Sequence, residues 1–75
     1  MQEDVLDLSG LKCPLPALLT RKALAAASPG AVLIVKASDP LAVVDIPHMC
    51  NQEGHSVERV TRGDDHAVFH IRRKS

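Results

Sequence analysis

The chain reads as an α+β protein, a two-layer α/β sandwich of order βαβαββ, with two helices on one face of a four-stranded mixed sheet. Three observations predict this. Two helix-like stretches begin at proline-bearing starts, near Pro14 and Pro40. Ala31-Val32-Leu33-Ile34-Val35 is nearly continuous and β-branched, as a buried central strand requires. The last third folds back on itself around Gly63-Asp64-Asp65, as a hairpin does.

Taken in order, Val5-Leu6-Asp7-Leu8 is a short strand closed by Ser9-Gly10. The spacing predicts a helix from Pro14 to about Ala27, ended by Ser28-Pro29-Gly30. At 100° per residue, Arg21 and Lys22 mark its solvent side, and Pro16, Leu19, Thr20, Ala23, Leu24 and Ala27 lie opposite. That inner face is mostly small, so the helix can lie close to the sheet. After the central strand, Asp39 caps a second helical segment with Pro40 at its first position, running to about Gln52. Pro47 lies inside it, which predicts a kink, or a loose start with the regular helix beginning near Asp45. Glu53-Gly54 ends that segment. Ser56–Thr61 and His66–Ile71 are the two arms of the hairpin.

The chain has 75 residues, one small domain spanning 1–75, and its core is thin: such a chain buries only about 60–65% of its unfolded surface. Nine basic and nine acidic residues cancel, which gives no electrostatic reason for a nucleic-acid or membrane partner. Phe69 is the single aromatic, too few for a stacking platform on single-stranded bases. No run is long and apolar enough for a transmembrane helix, and the acidic start Met1-Gln2-Glu3-Asp4 is unlike a signal peptide. The expected compartment is therefore the cytoplasm, where thiols stay reduced. Two cysteines there read as reactive, catalytic or buried rather than as a disulfide framework.

Cys13 is the candidate catalytic residue. It stands in Leu11-Lys12-Cys13-Pro14-Leu15-Pro16, where a strand-like run gives way to a helix-like one. As the helix N-cap it would sit at the positive end of the helix dipole, which favours thiolate over thiol. Pro14 would be the first helical residue and Pro16 the third, where a missing N–H costs nothing. The Leu15 N–H would then point at the sulfur, so Pro14, Leu15 and Pro16 together present the cysteine. The alternative is a small buried hydrophobe. Leu15 and Leu18, with Lys12, Arg21 and Lys22, would surround Cys13 with an exposed apolar and basic patch, either a docking surface for a partner or ordinary surface leucines.

Cys50 is either a core residue or a resolving thiol, and the site is expected to leave it out. His66 and His70 would share a strand face about 13 Å apart, too far to hold one ion together, and His48 and His55 are scattered, so no metal is expected. Arg72-Arg73-Lys74 reads as a solvated basic end or, second, a contact for an acidic partner.

Leu6-Asp7-Leu8-Ser9-Gly10-Leu11-Lys12-Cys13-Pro14-Leu15-Pro16 resembles the signature of the TusA/SirA-like sulfur-carrier proteins. The likeness continues at Arg21-Lys22-Ala23-Leu24, Pro29-Gly30, Asp39-Pro40, Asp45-Ile46-Pro47, Cys50, Gly54-His55, Phe69 and Ile71, and so covers nearly the whole chain. It departs between the prolines, acidic in some tRNA-thiolation members and Leu15 here. The resemblance implies a fold like the C-terminal domain of translation initiation factor three. It also implies that Cys13 carries sulfur as a persulfide, taken from a donor such as a cysteine desulfurase and handed to an acceptor protein. The destination would be tRNA thiolation, molybdenum-cofactor maturation or sulfur metabolism. No cofactor, direct nucleic-acid contact or membrane contact is implied, and a transient carrier is expected to be a monomer. The alternative is a non-enzymatic redox or regulatory binding module using the same cysteine. Cys13→Ser should abolish transfer under the first reading and leave partner binding intact under the second.

Overall fold

In the computed structural model, which describes residues 3–74, the elements follow the expected order. They are β1 (Glu3–Leu8), α1 (Leu15–Ala26), β2 (Val32–Ala37), α2 (Ala42–Glu53), β3 (Ser56–Arg62) and β4 (Ala67–Arg72). Met1 and Gln2 of the acidic start lie outside the described residues.

The four strands form one mixed sheet in the order β1-β2-β4-β3. β1 runs parallel to β2, with Leu8 opposite Ala37. β4 pairs antiparallel with both β2 and β3. The parallel pair puts the segments leaving β1 and β2 side by side at one edge of the sheet, and that placement builds the site.

The side-chain period of two sorts the sheet cleanly. Leu33, Val35 and Ala37 of β2 and Ala67, Phe69 and Ile71 of β4 are buried beneath the helices. Val32, Ile34, Lys36, Val68 and His70 point to the opposite face, where they are half-buried. α1 supplies Pro16, Thr20 and Leu24 to the core, the small inner face read from its periodicity, and α2 supplies Ala42, Ile46, Met49 and Cys50. The two helices pack on each other, with α1 against β2 and α2 against β3. The buried Thr20 hydroxyl donates to the Pro16 carbonyl one turn back at 2.7 Å, so it enters the core satisfied.

Several local expectations shift. α2 begins at Ala42 and runs through Pro47 to Glu53, so its regular part is not deferred to Asp45. Pro47 has no N–H to offer the Val43 carbonyl, and the helix continues because Ile46, Met49 and Cys50 anchor its inner face. Asp39 is not the cap of α2, nor Pro40 its first residue: Leu41 is the N-cap, and Asp39 Oδ1 accepts the Leu41 N–H at 3.0 Å in a turn ahead of the helix. His66 falls in the turn before β4, with its Nδ1 2.9 Å from Asp65 Oδ1, so it does not share a strand face with His70.

Arg72 and Lys74 are exposed, as a solvated end requires, but Arg72 and Arg73 are also tied into the fold. Arg72 belongs to β4 and pairs with Glu58 at 2.8 Å. Arg73 Nε donates to the Leu24 carbonyl at 2.7 Å, placing a cation at the C-terminal end of α1, where orphan carbonyls concentrate. Its backbone extends the sheet pairing through Gly30 and Ala31.

Candidate functional site

The site forms where the chain leaves the two parallel strands. After β1, Asp7 Oδ1 accepts the Ser9 N–H at 3.0 Å and the Ser9 hydroxyl at 2.6 Å. Gly10, at φ +86°, turns the chain and donates its N–H to Ser38 Oγ at 2.7 Å. Ser38 directly follows β2, so the first loop is pinned to the second. Asp39, the next residue, accepts the Cys13 N–H with Oδ2 while Oδ1 holds Leu41. One carboxylate thus fixes the cysteine backbone and the entry to α2 together. These two contacts also hold the Asp39 carboxyl below its ordinary range: the Leu41 N–H contributes most, then the Cys13 N–H, with the Lys12 ammonium adding to them.

Cys13 is exposed, but it is not the cap of α1. The N-cap is Pro14, and Leu15 is the first helical residue. The Leu15 N–H does not point at the sulfur; it donates to the Lys12 carbonyl at 2.8 Å, closing a turn over residues 12–15. The Cys13–Pro14 peptide bond in that turn is cis. The sulfur faces α2 instead and donates to Asp45 Oδ2 at 2.9 Å.

This reverses the expected electrostatics. The Cys13 thiol is pushed up from its ordinary value, first by its hydrogen bond to Asp45, then by desolvation and by the charges of Asp45 and Asp39. A carboxylate accepts from a thiol and repels a thiolate, and no helix N–H offsets it.

Of the other expected residues, Pro16 is buried and anchors the first turn of α1, whereas Pro14 and Leu15 are exposed beside Cys13. Leu18, 50% exposed, and Arg21 line a groove between α1 and α2 with Pro14, Ala17, Asp45 and Met49, about 330 Å³ in volume. Asp45 is therefore shared between the sulfur and the groove. Lys12 and Lys22 are exposed outside it, Lys12 on the cysteine turn and Lys22 on α1. Arg21 also reaches Glu53 of α2 at 3.8 Å, an exposed pair that contributes little to stability. Cys50 is fully buried, and burial pushes its thiol up to about 11. Among the described residues no group of three His, Cys, Asp or Glu side chains is placed to hold a metal ion.

Sequence reasoning missed the contacts of Asp39 and Asp45 to the cysteine. They lie 26 and 32 residues from Cys13. Reading Asp39 as the cap set the helix start two residues early, and the contact of its second oxygen with Cys13 becomes visible only once β1 and β2 are paired. A signal existed in the two aspartates near the prolines of the second helical segment.

The family model described as sulfurtransferase TusA matches residues 4–73. Candidate sulfur carrier proteins of Neisseria meningitidis serogroups A and B are each 49% identical over 55 residues, covering 73% of this chain and 74% of theirs. One from Aquifex aeolicus is 34% identical over 74 residues, 99% of this chain and 38% of that protein. The crystal structure of a SirA-like protein from Desulfitobacterium hafniense superposes with a TM-score of 0.81 at 22% identity, over 96% of this chain and 99% of its own, and so shares the fold. With an exposed cysteine at the paired ends of β1 and β2 and a match running almost end to end, the chain belongs to the TusA/SirA-like family of sulfur carriers.

Proposed function

We propose that the protein accepts sulfur as a persulfide on Cys13 and relays it to an acceptor protein, as one carrier unit spanning residues 1–75. The observation that supports this most directly is the Cys13 thiol itself. It is exposed on a turn, and its backbone is tied through Asp39 to a second loop. A sulfur that two different proteins must reach in succession has to be both accessible and held in one place. Lys12, Leu18, Arg21 and Lys22 form the docking surface, with Pro14, Leu15 and Pro16 presenting the cysteine. The donor is a protein such as a cysteine desulfurase. The acceptor serves tRNA thiolation, molybdenum-cofactor maturation or sulfur metabolism, in the cytoplasm, and the carrier meets it as a monomer. It touches neither nucleic acid nor membrane directly and uses no cofactor. No helix among the described residues is long and apolar enough to cross a membrane.

A redox or regulatory module using the same cysteine is the second reading, and thiol protonation does not separate the two, because both need the Cys13 thiolate that Asp45 disfavours. The test is intact-mass spectrometry without reductant, after incubation with a cysteine desulfurase and cysteine. Wild type and Cys50→Ser should each gain one sulfur atom, and Cys13→Ser none. No gain on wild type, with Cys13 still open to alkylation, would reject the carrier reading.

A further inference from the structure

The site contains a conflict that the carrier reading leaves unexplained. A carrier cysteine must act as a nucleophile, yet this one faces a carboxylate 2.9 Å away. We infer that Asp45 is a positioning residue that reads the cargo on Cys13: it holds the empty carrier as a neutral thiol and disfavours the bound persulfide anion. The inference rests on the persulfide reading above and goes beyond it by assigning Asp45 the choice between keeping sulfur and delivering it.

The chemistry follows from what each sulfur species can donate. In loading, the Cys13 sulfur attacks the outer sulfur of a donor persulfide. A new bond forms to that outer sulfur and the donor's own S–S bond breaks. Its electron pair stays on the donor sulfur, which takes up the proton Cys13 gives away. Delivery is the same exchange run towards an acceptor thiol, and neither step has a net oxidant or reductant. The empty Cys13 has a proton for Asp45 Oδ2. The persulfide anion has none, so loading breaks that hydrogen bond and sets two like charges against each other. The exchange is thereby biased towards the empty carrier.

The charged groups around the sulfur agree with this. Asp39 faces it from the segment after β2 and Asp45 from α2, both of which push the thiol up. Lys12 adjoins it on the same turn and acts on Asp39. Arg21 and His48 line the groove onto which Asp45 opens, so a partner seated there meets the Asp45 carboxylate directly.

The test uses the full chain with glutathione persulfide and glutathione as donor and acceptor, at neutral pH, with loading read by intact mass. Asp45→Asn keeps the shape, removes the charge and can donate to an anionic sulfur. Compared with wild type it should hold sulfur several-fold more fully at the same glutathione ratio. Its iodoacetamide reactivity should rise several-fold at pH 7, with the pH midpoint of that reaction moved down. Asp45→Ser, a smaller neutral replacement, should move both readouts in the same direction, and thermal melts confirm that either variant is folded. Unchanged loading and an unchanged alkylation profile in folded variants would overturn the role of Asp45. A wild type that takes up no sulfur would instead overturn the carrier reading, and the alkylation profiles still decide whether Asp45 governs the thiol.

Discussion

Two cysteines in one chain occupy opposite extremes of exposure, and the surroundings of each favour the protonated thiol. Cys13 is exposed but faces Asp45; Cys50 is sealed in the core, with its thiol pushed up to about 11 by burial. Both have folded-state values above the ordinary thiol range near 8.5. As pH rises through that range the unfolded chain loses these protons first, so stability is fully present below it and is lost as pH climbs towards the folded values. Urea midpoints should therefore fall between pH 7 and pH 10. The fall should be shallower in Cys13→Ser and in Cys50→Ala, and equal slopes in all three proteins would contradict the assignment. The sequence anticipated that Cys13 is exposed, because a cysteine at a proline-bounded helix start is poorly placed for burial. It misled on protonation because a dipole argument uses neighbours in the chain, and the decisive neighbour is 32 residues away.

At the scale of the element, the ends of the helices carry most of the information. α2 stops at Gly54, whose φ of +86° lies in the left-handed region, and the His55 N–H closes onto the Cys50 carbonyl at 2.8 Å. A Cβ there would meet Lys74 Cδ at 3.4 Å, so space is not the obstacle. Backbone conformation is, and Gly54→Ala should cost about 1 kcal/mol, seen as a lower urea midpoint at unchanged slope. The Glu53-Gly54 stop was legible in the sequence for this reason. The start of α1 was not. Cys-Pro-Leu-Pro suits a helix that begins at Pro14, but the Leu15 N–H is used by the Lys12 carbonyl, and this moves the helix one residue on. The pattern of apolar residues also says nothing of strand order. The parallel pairing of β1 with β2 is a long-range choice, and the placement of both aspartates depends on it.

For the whole molecule, one aromatic ring occupies the centre. Phe69 is fully buried on β4, flanked by Val35 of β2 and Val60 of β3, beneath both helices. Phe69→Ala should lower stability by about 3–5 kcal/mol, a large share of what a domain this small possesses, and circular dichroism at 37 °C should show an unfolded population. Retention of a cooperative melt at the wild-type temperature would mean that the core collapses around the gap. The inner face of α1 was readable in advance, but the continuous apolar run of β2 did not say which of its faces the helices cover: Leu33, Val35 and Ala37 are buried and Val32, Ile34 and Lys36 half-buried. The termini were less readable: charge alone suggested a free basic end, whereas Arg73 reaches back across the molecule to α1.

The edge of that sheet has its own consequence. Along β3, Val57 sits opposite Ile71 and Arg59 opposite His70, so Glu58 is an extra residue without a partner position. Such a bulge twists an outer strand and breaks the even row of N–H and C=O groups that a foreign strand would need. Glu58 uses its position to clasp Arg72 at 2.8 Å. With Arg59 and Arg62 exposed on the same strand, the border is charged as well as irregular. Protection against fibril-like stacking is thus built into the strand farthest from β1.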